Sequence, residues 1–208
     1  FDTEFNALNS GFADMNVFFT LTPWLLVFLI PVIGMRSFSD EIRSGTLELL
    51  LTKPIGLWNL VIGKFLGGFF LLLFALLPTL VYFIAINELK VDNASVDWGS
   101  TFSGYLGLLF LGSGFLSISI FSSLLSRNQV TGFLVATLII FFQFYLWSGI
   151  ADLSQNALVY NIINEIGMQE HYYSMSLGVI AIKDLIYFIG LNSFFLYSCT
   201  FLLKQIKR

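Results

Sequence analysis

Five stretches of this chain, about 18–35, 65–86, 104–125, 130–150 and 185–203, contain no Asp, Glu, Lys or Arg. Each is close to the roughly 20 helical residues needed to cross a hydrocarbon core about 30 Å thick. A bilayer core offers the backbone no water, so only helices and closed barrels span it. These runs lack apolar–polar alternation and are too long for barrel strands. The fold class that follows is an all-α integral membrane protein. Composition agrees: 57% of the 208 residues are hydrophobic and 11% charged, against about 25% charged in an ordinary soluble domain. Pro31 and Pro78 lie inside spans and are expected to kink them or to free carbonyls there.

The charged residues then set the topology. Eight of the ten Lys and Arg fall in 36–64, 126–129 and 204–208, leaving Lys90 and Lys183 for the opposite side. That opposite side also holds ten of the thirteen acids. The positive-inside rule places residue 1 outside and residue 208 in the cytoplasm. Five spans with an outside start imply a sixth, earlier span ahead of Phe1, and 1–208 reads as a single transmembrane domain. The net charge of −3 argues against nucleic-acid partners, and the lone Cys199 allows no disulfide within the chain and no CxxC site.

Residues 36–56, "RSFSDEIRSGTLELLLTKPIG", are too polar to cross and too apolar to be a plain loop. Ser37 with Asp40 is spaced like a capping box, predicting a short helix from Phe38 to about Ser44. Gly45 breaks it. Thr46 is placed to cap a second helix with Glu48 in its first turn, and Pro54 ends that helix. Trp58 and Lys64 are expected to anchor the start of the next span. An amphipathic segment of this kind can simply rest in lipid headgroups. Glu41 and Glu48 fit that poorly, because the inner leaflet is anionic; a cytoplasmic protein partner fits them better.

"FSDEIRSGTLELLLTKPI" resembles the coupling-helix region of type-2 ABC transporter permeases, through Glu41, Gly45-Thr46, Glu48, Leu50 and Pro54. "FDTEFNALNSGFAD", "ALLPTLVYF", "LFLGSGFLSISIFSSLLSRNQV" and "SLGVIAIKDLIYF" extend the resemblance over nearly the whole chain, towards the gliding-motility branch of that family. The resemblance implies six-span subunits that dimerise and a coupling set of Glu41, Arg43, Gly45, Thr46, Leu47, Glu48, Leu50 and Pro54. That set would sit in a groove of a separate cytosolic ATPase, which would bind the ATP and Mg. It also implies a second permease copy, or a related gliding-motility membrane subunit with a periplasmic domain. This sequence has no GxxxxGK[ST] phosphate loop, since Gly63-Lys64 is followed by Phe65. The chain is therefore expected to be no enzyme and to hold no cofactor of its own. Export of another cargo, lipid-linked or small, and a non-transporting scaffold that transmits force are the alternatives.

Other residues are weighed against plainer roles. Gln143 and Asn192 lie mid-span and either line a pathway or make interhelical hydrogen bonds, the favoured reading. Ser113/Ser117, Ser119/Ser123 and Gly63/Gly67 have the spacing of close helix packing or of a dimer seam. Arg127 is a secondary cytoplasmic contact or, preferably, a positive-inside anchor. His171, without a second His or Cys nearby, is a poor metal ligand and is expected in an exposed loop. Asp184 is expected to mark an interface boundary. No residue set suggests catalysis. Residues 151–168 have helical apolar spacing for an interfacial helix, and 174–184 is read as a re-entrant or interface-lying helix before the last span.

Overall fold

A computed structural model describes residues 15–89 and 98–207. The opening stretch 1–14, Lys90, Asp92, Asp97 and Arg208, all used for the topology, lie outside the described residues. The described residues are helical, without strands, and five helices are long and apolar enough to cross a membrane: Asn16–Ser44, Leu57–Ile86, Trp98–Leu125, Gln129–Ala151 and Ile182–Ile206. Each expected span is present and extended at one or both ends, because a helix continues past the apolar core until a cap or a breaker stops it.

The first long helix comprises α1 (Asn16–Gly34) and α2 (Arg36–Ser44), joined through Met35 in helical conformation. α3 (Thr46–Thr52) follows after Gly45. α4 (Leu57–Leu76) and α5 (Leu80–Leu89) are separated by a 3₁₀ turn at Leu77–Thr79 that contains Pro78. α6 is Trp98–Leu125. α7 (Gln129–Phe141) runs through a π turn, Phe142–Leu146, into α8 (Trp147–Ala151). α9 (Ala157–Asn164), α10 (Met168–Ser176) and α11 (Ile182–Ile206) complete the chain.

α6 is the hub. Its most apolar window is 78% buried, against 17% for the corresponding windows of the spans built on α4, α7 and α11. Its small residues make this physically simple. A Cβ at Gly34 of α1 would lie 2.3 Å from Ser119 Cβ, and one at Gly112 would lie 2.4 Å from Leu72 of α4. Helices approach this closely in lipid only where side chains are nearly absent. The serine hydroxyls close on their own helix, Ser117 on the Gly114 carbonyl and Ser119 on that of Phe115. Small-residue spacing along 113–123 is thus spent inside the chain. Gly63 and Gly67 meet nothing within 4 Å and face outward.

Proline is accommodated in two ways. Pro78 interrupts α4–α5, as expected. Pro31 sits inside α1 without interrupting it, and so does Pro23. Pro23 supplies no N–H to the Phe19 carbonyl four residues earlier; the Tyr172 hydroxyl of α10 donates to that carbonyl instead, at 2.6 Å. Burial holds the Tyr172 phenol above the ordinary tyrosine value, so it remains a donor.

The region before the last span departs from expectation. Residues 177–181 are not helical. The helix lies earlier, as α10, and buries Met168, His171, Tyr172 and Met175 against the bundle. Ser103 fastens it by donating to the Met175 carbonyl at 2.6 Å. The expected interfacial helix is present as the shorter α9, with Leu158 73% and Ile162 66% exposed.

Candidate functional site

The bent segment 36–56 has the outline read from the sequence, with different caps. Gly45 takes φ +70°, the left-handed conformation that favours glycine, and closes α2. Lys53 is extended ahead of Pro54, ending α3. The capping box at Ser37 and Asp40 does not form, because α2 continues α1 and begins one residue before Ser37. The Phe38 N–H donates instead to Ser123 Oγ of α6 at 3.2 Å, and Asp40 accepts from the Gln129 amide of α7. Nor does Thr46 cap α3: it is the first helical residue, and its hydroxyl lies 2.8 Å from Ser44 Oγ.

The segment is fastened to the spans at three places. Phe38, Leu47 and Leu51 are buried in the main apolar core. Asp40 holds the start of α7. Lys64, in the third turn of α4, reaches back to α2: its Nζ lies 2.6 Å from Glu41 Oε1, donates also to the Ser37 carbonyl and stands 4.6 Å from the centre of the Phe38 ring. Lys64 is thus a tether between helices as well as a mark of the span's beginning. The sequence signal for this was its place inside an otherwise apolar helix, where a charge needs a partner.

The segment therefore has two faces. Of the coupling set, Leu47 points into the core, Glu41 is half-buried against Lys64 and Leu50 is half-buried. Arg43, Gly45, Thr46, Glu48 and Pro54 are exposed. Two apolar residues that the sequence reading passed over join them: Leu49, 67% exposed, and Ile55, 47% exposed. Isolated exposed leucines are ordinary. Here they sit between Arg43, Glu48 and Lys53 on one short bend, a mixed apolar and charged surface suited to a protein groove. Arg127 is exposed in the neighbouring turn, beside Asn128, which caps α7 through its contact with the Val130 N–H at 3.2 Å.

The two mid-span amides are engaged. Gln143 lies in the π turn, donates to the Ile166 carbonyl and meets the Tyr187 hydroxyl, each at 3.0 Å, and accepts from the Trp147 indole at 3.1 Å. Asn192 donates to Ser113 Oγ at 2.8 Å, while its own carbonyl oxygen is buried without a partner. Both join helices, and Asn192 also borders a groove of about 350 Å³ lined by Phe65, Phe69, Leu106 and Phe110. A second groove of about 340 Å³, between α4–α5 and α6, is lined by Leu73, Leu77, Phe83, Trp98, Phe102 and other apolar side chains.

His171 corrects its expected placement. His171 is buried on α10, not exposed in a loop, and Asp184 is fully buried in the first turn of α11. They face each other at 2.7 Å. Among the described residues no group of three or more His, Cys, Asp or Glu is placed to hold a metal.

No curated protein matches this chain. The family described as ABC-2 family transporter protein matches residues 3–198. Members of that family are membrane components of transporters that work with a separate ABC ATPase subunit. With five helices among the described residues long and apolar enough to cross a membrane, this multi-pass membrane chain belongs to the ABC-2 transporter family.

Proposed function

We propose that this chain is the permease subunit of a gliding-motility ABC transporter complex in a bacterial inner membrane, with the bent segment facing the cytoplasm. In this reading Arg43, Thr46, Glu48, Leu49 and Pro54 dock into a groove of the ATPase, and Leu50 supports the docked face. Glu41, Leu47 and Gly45 hold that face in shape. Closure of the ATPase dimer then displaces α2–α3 as a unit. The displacement passes through Lys64 to α4, through Asp40 and Gln129 to α7, and through Phe38 and Ser123 to α6. The observation that carries the reading is this fastening: a short bend with an exposed mixed face, tied by polar contacts to three different spans. Gly63 and Gly67, outward on α4, support pairing with a second copy or a related membrane subunit.

Affinity purification from native membranes tests this. Glu48→Lys inverts an exposed charge that makes no hydrogen bond or ion pair among the described residues. It is expected to lower the co-purified ATPase while leaving membrane insertion unchanged. ATPase recovered at the wild-type level sinks the docking assignment. A second cargo reading, export of a lipid-linked molecule, is favoured by the groove between α4–α5 and α6, whose lining is mainly apolar.

A further inference from the structure

At the end of the bundle away from the bent segment, His171 is 4% exposed and Asp184 is fully buried. His171 Nδ1 lies 2.7 Å from Asp184 Oδ1, and its Nε2 lies 3.0 Å from the backbone carbonyl oxygen of Glu165. The ring stacks on Tyr187 with centroids 4.0 Å apart, which fixes its plane. Both ring nitrogens therefore face oxygen atoms, and a carbonyl oxygen can only accept.

A neutral imidazole has one N–H. With the proton on Nδ1, the Nε2 lone pair confronts the carbonyl. With it on Nε2, the Nδ1 lone pair confronts an ionised carboxylate. Each leaves two acceptors in contact, away from water. Two arrangements satisfy both contacts: an imidazolium donating to the carboxylate and the carbonyl, or an Nε2–H imidazole accepting from a protonated Asp184. Both contain the same additional proton, and both are net neutral.

The surroundings offer no substitute for that proton. Asp184 Oδ2 is buried without a hydrogen-bond partner. The nearest cation on its own helix, Lys183, is paired with the Glu165 carboxylate at 3.2 Å. Glu170 accepts from Asn164 at 2.8 Å, Tyr187 donates to the Ile166 carbonyl at 2.7 Å, and Tyr172 is committed to Phe19. Tyr173 on α10 is exposed, and neither α6 nor the π turn Phe142–Leu146, both packed against α10, carries a charged residue, Tyr145 being the turn's one titratable group. An ionised carboxylate left alone here would be buried without compensation, which is strongly unfavourable.

We propose that His171 and Asp184 form a buried proton-binding site that latches α10 onto α11. With the proton, the pair is neutral and the helices close; without it, the carboxylate has to reach water and α10 lifts. The sign follows from linkage. The closed form keeps the additional proton, whereas the lifted form can release it to water. Where the lifted form has released it, the closed form holds one proton more, so lifting grows with pH, by up to about tenfold per pH unit.

The test uses the intact chain in lipid nanodiscs, purified without a histidine tag. Nitrogen-15 NMR of labelled histidine, assigned with His171→Gln, reads the ring; hydrogen exchange of the 168–176 amides, referenced to those of α7, reads the latch. The proposal expects Nε2 protonated, with Nδ1 either protonated or accepting, and α10 exchange rising with pH as the ring signal changes. Asp184→Asn can donate its amide to Nδ1 of a neutral ring, so it should keep α10 closed as pH rises. A neutral ring with bare Nε2 in the wild type overturns the proposal. So does α10 exchange that ignores pH, or an Asp184→Asn chain whose α10 exchange rises with pH as the wild type's does. Where Asp184→Asn does not fold, the two wild-type readings decide.

Discussion

Removing the Lys64 ammonium is the sharpest perturbation of the link between α2 and α4. Lys64→Met keeps the aliphatic stem and deletes the charge. Glu41 then retains a half-buried carboxylate whose second oxygen is already without a partner, and the Ser37 carbonyl and the Phe38 ring lose their cation. A fully exposed ion pair contributes about 0.2–1 kcal/mol, and breaking a fully buried one costs about 3–5 kcal/mol. The two side chains here are 20% and 28% exposed. The cost therefore falls between these limits, about 1–3 kcal/mol, the range for leaving a buried polar group without its partner. Glu41→Gln, which still offers an acceptor, should cost less. The decisive quantity is the coupling between the two changes. Together they remove both charges and strand neither, so the double variant should be more stable than the sum of the singles predicts, by about 1–2 kcal/mol. Equilibrium unfolding of the four proteins in mixed detergent–lipid micelles measures it. Costs that add to within about 0.5 kcal/mol would refute the tether and leave Lys64 a simple anchor.

Three further outcomes follow from the packing. Gly45→Val meets no neighbour but forces a β-branched side chain to φ +70°; it should cost about 1–2 kcal/mol in the same unfolding assay and weaken ATPase retention more than its stability loss accounts for. Gly34→Val drives atoms into Ser119 and should cost at least about 1–3 kcal/mol, whereas Gly63→Ala, facing open space inside a helix, should raise the monomer's stability by up to about 1 kcal/mol while altering subunit association on native gels. Tyr172→Phe strands the Phe19 carbonyl and should cost about 1–2 kcal/mol; in a Pro23→Ala background, where a backbone N–H returns to that carbonyl, the same change should cost measurably less.

Much of this fold is legible in the sequence because the bilayer tolerates so few alternatives. Charge-free runs locate the five spans, and Gly45 and Pro54 locate the bend and its end. Caps are less legible. Ser37 has the right spacing, yet the helix passes through it, because α2 continues α1, and the nearby Phe38 N–H meets Ser123, 85 residues away in sequence. Buried pairs are hidden for the same reason. His171 and Asp184 look like isolated polar residues near a surface, and only the docking of α10 onto α11 brings them together. On the bend, the acids stood out because charges are scarce in this chain, while Leu49 and Ile55 were lost among many apolar residues. Which side of α3 a leucine faces is decided by tertiary packing, and four of its seven residues are leucine.

Site-specific photo-crosslinking in native membranes tests the central claim most directly. A photoreactive residue at Leu49 or Glu48 should trap the cytosolic ATPase subunit, and one at Leu158, at the other end of the bundle, should not. An ATPase adduct from Leu158 with none from the bend would contradict the account.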